Sequence, residues 1–198
     1  GRDNANNFFQ LIAHAAFGRG ERPAPAQVLP GAVRYEPLSQ VAPWREGAPT
    51  ALLVFYKAHL QAGNTAAFDA MLAALAEQGL NTLALALDSL KNPESMALLQ
   101  TMAREHQVDV VLNATSFAVG ALGEDGVDGE PAPLLAGDAP VLQLITAGGS
   151  IEQWQADPHG LQPRDLAMQV VLPEVDGRIT TRAISFKGLG WRCEKAQV

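Results

Sequence analysis

The fold is decided by the stretch Leu52-Leu-Val-Phe-Tyr-Lys-Ala-His-Leu-Gln-Ala-Gly-Asn-Thr65. Its first five residues, Leu52 to Tyr56, are apolar or aromatic, which is typical of a buried strand. A short polar loop is expected next, and then a helix capped by Asn64 or Thr65. In open α/β sheets, ligands bind outside the carboxyl ends of the strands. The stretch therefore predicts both a buried sheet and a ligand site at its edge.

Downstream of Thr65, helical and strand patterns alternate. Asn92-Pro93-Glu94 is a clear helix start, with a capping Asn, Pro at the first position and an acid in the first turn. We expect further strands at 80–87, 108–112, 141–145 and 179–186, and helices after residue 65, at 93–106, at 150–154 and from Pro163 into 168–172. This alternation predicts the α/β class, with a doubly wound, mainly parallel sheet of the flavodoxin-like or Rossmann-like kind.

The N-terminal part has a different pattern. Residues 4–17 are expected to form a helix, because their apolar residues recur on one stripe. Residues 21–49 contain six prolines, which exclude long regular elements there. We predict an N-terminal helix and extended Pro-rich connector over residues 1–47, and an α/β domain over 48–198. Within that domain, the Gly-, Asp- and Pro-rich segment 114–139 is expected to be a binding loop or disordered.

Composition excludes several classes of protein. The net charge of -7 and the pI near 5.0 argue against nucleic acid or an anionic membrane as partner. No apolar run approaches the roughly 18 residues that span a bilayer, and we expect no signal peptide at the polar start. The lone cysteine, Cys193, excludes an internal disulfide framework and fits a reducing compartment. We therefore expect a cytoplasmic protein, and a start at Gly rather than Met is consistent with a fragment.

Nucleotide and metal signatures are missing from the sequence. Neither Gly-x-x-x-x-Gly-Lys-Ser/Thr nor Gly-x-Gly-x-x-Gly follows the first strand, so we expect no cofactor, neither ATP nor NAD, to be bound by this chain. The four histidines lack metal-ligand spacing, and no metal site is predicted. His59 alone stands where a ligand would bind. It is interpreted either as a ligand contact or as a packed or solvated loop residue.

Polar and aromatic residues follow the first and third strands. Asn113, Thr115 and Phe117 place amide, hydroxyl and aromatic groups at the carboxyl edge of the sheet, where they suit a large planar or amphipathic ligand. The alternative is that the polar groups only satisfy loop backbone. No catalytic residue is identified. The candidate substrate-binding residues are Tyr56, Lys57, His59, Asn113, Thr115 and Phe117.

Two further segments have alternative interpretations. Asp88 to Pro93 is explained either by turning the chain and capping the next helix or by ligand contact through Ser89 or Lys91. In Pro173-Glu-Val-Asp-Gly-Arg-Ile179, the Asp-Gly pair favours a tight hairpin turn. Glu174 and Arg178 are not needed for that turn, so they are expected to pair with each other or with a neighbouring domain.

Several segments, in this order and spacing, resemble the large subunit of aerobic cobaltochelatase (CobN type) and its relative, the large subunit of magnesium chelatase. The Ser-Leu-Lys-Asn-Pro and Asn-Ala-Thr-Ser-Phe pieces favour the cobalt branch. The large subunits of this family are several times longer, so the chain resembles one domain of such a subunit. The segments that carry the resemblance are Tyr56 to Thr65, Leu75 to Asn81, Ser89 to Pro93, Asn113 to Phe117, Trp154 with Gly160 to Pro163, and Pro173 to Ile179.

The resemblance implies a parent protein that binds hydrogenobyrinic acid a,c-diamide and accepts cobalt(II) insertion in cobalamin synthesis, as a ligase forming nitrogen–metal bonds. ATP with Mg²⁺ would be hydrolysed by separate AAA-type ATPase subunits. Chelation needs bases that take two pyrrole-type protons, and the chain offers no such set, so we expect the isolated chain to be inactive. Two alternatives stay open: a module that only positions other chelatase domains or the ATPase subunits, and an unrelated doubly wound domain that binds a small molecule.

Overall fold

In the computed structural model, residues 2–26, 28–37, 42–120, 135–188 and 193–195 are described. The chain divides into two compact units, Gly1–Pro30 and Gly31–Val198. In the first unit, α1 (Arg2–Phe17) confirms the predicted N-terminal helix. It ends at Gly18, whose positive φ of 61° lets its N–H donate back to the carbonyl of His14.

The second unit is built on a single sheet. The described strands are β1 (Ala32–Arg34), β2 (Thr50–Tyr56), β3 (Asn81–Leu87), β4 (Val110–Asn113), β5 (Val141–Thr146), β6 (Ile179–Lys187) and β7 (Cys193–Lys195). Their order in the sheet is β1-β3-β2-β4-β5-β6-β7, and the five central strands are parallel. β1 and β7 add antiparallel edges.

The five parallel strands lie in the order second, first, third, fourth, fifth along the chain. This is the flavodoxin-like order, so the predicted fold class is confirmed. Its topological switch point lies between β2 and β4, the strands that end at Tyr56 and Asn113. Ligands of doubly wound sheets bind outside the carboxyl ends of strands at such a point.

Both faces of the sheet are covered by helices, which explains why β2 and β3 are apolar at nearly every position. The described helices of this unit are α2 (Lys57–Ala62), α3 (Ala66–Glu77), α4 (Pro93–Glu105), α5 (Ile151–Ala156), α6 (Pro163–Leu166), the π-helical segment Ala167–Val171, and α7 (Leu172–Val175). Leu52 and Val54 pack with Leu99 of α4 on one face. Leu53 and Phe55 pack with Phe68 of α3 on the other. Successive residues of a strand thus pack into the hydrophobic cores on opposite faces of the sheet.

Two predicted helix starts are confirmed by capping bonds. Asn92 Oδ1 accepts a hydrogen bond of 3.0 Å from the N–H of Glu94 at the start of α4. At α5, Ser150 and Gln153 form a reciprocal capping box.

The polar loop predicted after β2 is wrong, because residues Lys57–Ala62 form the short helix α2. Alanine, leucine, glutamine and lysine are good helix formers, and Gly63 ends the helix in the left-handed conformation at φ 67°. The next helix does begin after Thr65, but no side-chain capping bond forms. The hydroxyl of Thr65 instead donates to Asp69 Oδ2 at 3.1 Å.

The hairpin turn predicted at Asp176-Gly177 is also wrong. The chain is helical from α6 through α7, and Gly177, at φ 72°, donates to the carbonyl of Glu174 in a turn that ends this helical run before β6. Pro173 has no N–H to give to the preceding turn, and the π-helical segment lies immediately before α7. The Asp-Gly signal therefore marked a helix end rather than a hairpin.

β1 belongs to the segment that the sequence assigned to the connector. It pairs antiparallel with β3, Ala32 opposite Leu87, and Tyr35 extends the pairing by donating to the carbonyl of Ala84. The predicted domain boundary after residue 47 therefore differs from the boundary between the two compact units, which falls after Pro30. The predicted boundary stays a prediction. Residues 121–134, the middle of the predicted binding or disordered segment, lie outside the described residues. Among those that are described, no helix is both long and apolar enough to cross a membrane.

Candidate functional site

A cleft of about 430 Å³ lies at the carboxyl ends of the parallel strands. It is lined by residues that follow β2, β4 and β5, by the end of β6, and by the helical run that starts at Pro163. The lining residues used below are His59, Phe117, Gly148, Arg164, Asp165 and Lys187. A larger hollow of about 590 Å³ runs along β1 and α3, away from these strand ends. We place the candidate site in the smaller cleft, because it occupies the edge where doubly wound sheets bind ligands.

Phe117 is the most exposed aromatic residue at this cleft. The residue is 51% exposed to solvent. Its backbone has φ 69°, a left-handed conformation that costs a bulky residue about 1 kcal/mol or more. Its N–H donates to the carbonyl of Met168 at 3.1 Å, which ties this loop to the π-helical segment. An exposed aromatic ring held in a strained conformation is typical of a binding site.

Tyr56 holds the loop that carries Phe117. Its hydroxyl donates to the carbonyl of Ser116 at 3.0 Å and accepts from the N–H of Ser116 at 3.1 Å. Burial raises the pKa of Tyr56, so the hydroxyl keeps its proton at neutral pH and can make both bonds. Tyr56 therefore lies beneath the loop rather than along the cleft wall.

Asn113 and Thr115 are buried in a network with Gln143 of β5. Asn113 Nδ2 donates to Gln143 Oε1 at 2.7 Å, and Thr115 Oγ1 donates to Asn113 Oδ1 at 2.9 Å. Gln143 Nε2 donates to the carbonyl of Thr115 at 2.8 Å. All three residues are at most 1% exposed. The three side chains thus bond to one another and to the loop backbone, which agrees with the interpretation that these polar groups satisfy the loop. Substrate binding by Asn113 and Thr115 stays a prediction.

His59 lines the cleft from α2. Its ring packs edge-on against Phe68, with ring centroids 5.1 Å apart. Burial lowers the pKa of His59, so the imidazole is neutral at pH 7. The structure therefore shows a packed residue that also lines the cleft, and ligand contact by His59 stays a prediction.

Lys57 lies toward the end of β3 instead of the cleft. Burial raises the pKa of Asp88, but hydrogen bonds from Ser95, Asn92 and the N–H of Ser89, helped by the charge of Lys57, bring the pKa below its ordinary value. The side chain of Asn92 donates to Asp88 Oδ2 at 3.0 Å. The bonds of Asp88 therefore serve the turn and the start of α4.

Two polar residues that sequence reasoning missed form the helical wall of the cleft. Asp165 Oδ2 accepts from the N–H of Gly148 at 2.8 Å. Gln169 Oε1 accepts from the N–H of Thr146 at 2.7 Å, and its Nε2 donates to the carbonyl of Thr146 at 2.8 Å. Both side chains are 6% exposed. The one available signal was their i, i+4 spacing, which places two polar residues on the same side of a helix.

Arg178 is buried beside the cleft loop and pairs with Asp176 at 2.6 Å. Asp176 also accepts from the N–H groups of Val119 and Gly120, at 2.8 and 2.9 Å. Burial lowers the pKa of Arg178, and the adjacent carboxylate opposes that change. The expected partner, Glu174, instead accepts from the hydroxyl of Thr180 at 3.0 Å, so the predicted pairing of Glu174 with Arg178 is wrong.

Within the parts of the chain that the structure describes, no three His, Cys, Asp or Glu side chains lie together as metal ligands. The cleft brings together an exposed aromatic residue, a neutral imidazole, two cations and a buried carboxylate.

Fold and cleft together define a flavodoxin-like domain with a cleft at its switch point, the place where doubly wound sheets bind their ligands. A family model described as CobN/Magnesium Chelatase matches residues 1–198. The chain belongs to the CobN/magnesium chelatase family.

Two curated relatives carry the name aerobic cobaltochelatase subunit CobN. The protein from Pseudomonas aeruginosa is 38% identical over 204 residues, and the one from Sinorhizobium sp is 42% identical over 202 residues. The alignments cover 100% and 94% of this chain and 16% of each relative, so the chain spans about a sixth of their length. A solved structure titled catalytic subunit of cobaltochelatase, from Mycobacterium tuberculosis, is similar with a TM-score of 0.75 and 26% identity, over 98% of this chain and 17% of that one.

Proposed function

We propose that this chain is one domain of the large, tetrapyrrole-binding subunit of an ATP-dependent cobaltochelatase, the ligase that inserts cobalt(II) into hydrogenobyrinic acid a,c-diamide in cobalamin biosynthesis. In this proposal the domain supplies one wall of the substrate cavity and acts in the cytoplasm. Family membership and the relatives' names support the subunit assignment. The exposed side chain of Phe117, carried at the cleft by a strained backbone, is the observation that carries the placement of the substrate.

The proposed contact is the edge of the macrocycle. A planar, largely apolar ring packs favourably against an aromatic side chain, and Phe117 offers such a surface beside the cleft. Polar side chains around the cleft then meet the polar substituents at the rim of the macrocycle. Since the chain is about a sixth of its relatives, the remaining walls come from other parts of the subunit.

Metal insertion replaces two pyrrole-type protons by cobalt(II), so bases must take those protons. At this cleft the candidate acceptors are His59 and Asp165. Asp165 already accepts the N–H of Gly148, and His59 is packed against Phe68. We therefore assign binding to this domain and place the proton acceptors elsewhere in the subunit. In this proposal AAA-type partner subunits hydrolyse ATP with Mg²⁺, as the family resemblance implies, and the chain itself carries no phosphate-binding loop signature after its first strand.

A second candidate function is an interaction module that positions other chelatase domains or the ATPase subunits. The observation that favours it is α1, where Phe8 and Phe9 are 59% and 68% exposed. Exposed aromatic side chains side by side on one helix are typical of a surface that packs against another domain.

One experiment separates the two candidates. Hydrogenobyrinic acid a,c-diamide is titrated into the whole subunit, and binding is followed by absorbance. The variant Phe117→Ala is compared with Phe9→Ala, which removes an equally large exposed ring from α1. The cavity-wall proposal expects about tenfold weaker binding for Phe117→Ala alone. Unchanged binding in Phe117→Ala, with lost assembly of the complex in Phe9→Ala, would instead support the interaction module.

A further inference from the structure

We infer that Arg164 and Lys187 form an anion subsite at the cleft that takes a carboxylate group of the ligand. This inference rests on the proposed function, because it assigns the polar rim of the same substrate. Neither Arg164 nor Lys187 is among the substrate-binding residues that were predicted from the sequence.

The two cations flank one glycine pair. Lys187, at the end of β6, donates its backbone N–H to the carbonyl of Gly149 at 2.9 Å. On the other side, Asp165, the neighbour of Arg164, accepts the N–H of Gly148 at 2.8 Å. The backbones that carry both cations are therefore fixed to the same turn, and both side chains line the cleft.

Gly148 keeps this region compact. A Cβ atom at Gly148 would lie 3.1 Å from Asp165 Oδ1, so a side chain there would force the Asp165 carboxylate to move by a few tenths of an ångström. Because glycine occupies this position, the helical run can approach the end of β5 closely, and the two cation-bearing elements stay close to the same turn.

The balance of charge at the cleft is the reverse of the balance in the whole chain. The protein carries 21 acidic and 14 basic residues, but the charged residues that line this cleft are Arg164, Lys187 and Asp165. Asp165 is buried and committed to the backbone of Gly148. In the described part of the chain, the ion pairs are Arg34–Glu36, Asp157–His159 and Asp176–Arg178, which leave both cleft cations available to a ligand.

The chemistry of the pair suits a carboxylate. Arg164 offers a planar fork that matches both oxygens of a carboxylate, and Lys187 adds a mobile point charge. Esterification or amidation of the ligand removes the charge, so the subsite favours a tetrapyrrole with free carboxyl groups over its neutral ester.

The test uses the whole subunit and two probes, hydrogenobyrinic acid a,c-diamide and the same compound with its remaining carboxyl groups methyl-esterified. Binding is measured for Arg164→Gln, Lys187→Gln and the double variant. Arg182→Gln is the matched control, since Arg182 is an exposed cation on β6 outside the cleft lining. We expect about threefold weaker binding of the acid for each single change and about tenfold for both, at low ionic strength. High salt should diminish these losses, and the ester should bind equally to all variants.

The outcomes separate this inference from the proposed function. If Phe117→Ala weakens binding while the double variant binds the acid like the wild type, the subsite is refuted and the cavity wall stands. If neither change affects binding, the proposed function fails as well. Equal losses in Arg182→Gln, or equal losses for acid and ester, would show general charge attraction or misfolding and would also overturn the subsite.

Discussion

Two sets of polar residues lie at the carboxyl edge of this sheet, and burial separates them. Beneath the loop after β4, Asn113, Gln143 and Arg178 are at most 5% exposed and have their hydrogen bonds satisfied inside the protein. At the cleft, Arg164 and Lys187 are exposed and have no ion pair in the described part of the chain. The buried set makes its hydrogen bonds within the protein, and burial keeps it from contact with a ligand. Its task is to fix the loop, while the exposed set is left to bind.

The largest effect is expected from breaking the buried ion pair. Arg178→Met leaves the carboxylate of Asp176 buried without its cation, which should lower the free energy of unfolding by about 3–5 kcal/mol. Urea unfolding of the chain measures the loss. Arg182→Met, four residues further along on β6, is the control, because Arg182 is exposed and should change stability by about 0.5 kcal/mol at most. A loss of under about 1 kcal/mol in Arg178→Met would contradict a structural role for the pair.

A smaller loss should follow the removal of one buried amide. Gln143→Ala leaves Asn113 Nδ2 and the carbonyl of Thr115 short of partners, so we expect a loss of about 1–3 kcal/mol. Gln162→Ala removes an exposed glutamine at the cleft and should cost little stability. Urea unfolding measures both variants. Similar losses of unfolding free energy in the two would contradict a structural role that is confined to the buried residues.

Tyr56→Phe connects the two sets, because it removes only the hydroxyl that holds Ser116. We expect a stability loss of about 1 kcal/mol and faster hydrogen exchange of the Ser116 amide. Ligand binding should weaken less than in Phe117→Ala, since the ring of Phe117 remains but is held less firmly. Unchanged exchange at Ser116 in Tyr56→Phe would show that the hydroxyl does not position the loop.

The smallest effect concerns pH. The pKa of His59 is lowered in the folded chain, so the unfolded chain binds a proton at higher pH than the folded one. Its contribution to stability is therefore complete above pH of about 6.5, the ordinary histidine value, and declines as the pH falls toward the folded pKa. His59→Gln should flatten that part of the stability profile between pH 7 and 5. A wild-type profile identical to that of His59→Gln would contradict the burial of the imidazole.

The main strands of the sheet and the start of one helix could be predicted from the sequence. The apolar runs at Leu52 to Tyr56 and Leu80 to Leu87, and the capping signal at Asn92, depend on local pattern, and they predicted strands and a helix start that the structure has. The helix α2 was missed because six residues with several polar side chains look like a loop when only hydrophobic periodicity is considered.

The site was harder to predict, because a candidate residue's burial depends on tertiary packing. Tyr56 and Asn113 stand at strand ends, as expected, but the loop folds over them and their groups turn inward. Arg164 and Lys187 are far apart in sequence and line the same cleft because the helical run and β6 both contact the turn at Gly148 and Gly149. The local sequence around either residue does not predict that they share a cleft.

In the proposed function, the edge of the tetrapyrrole lies against Phe117. The most direct measurement places a photoreactive benzoylphenylalanine at position 117 of the whole subunit and irradiates it with bound hydrogenobyrinic acid a,c-diamide. The same replacement at Phe9 is the control, because Phe9 is also exposed, at 68%, but lies on α1. We expect a covalent adduct with the ligand from position 117 and none from position 9. Binding of the ligand without any adduct at 117, or with equal adducts at both positions, would contradict it.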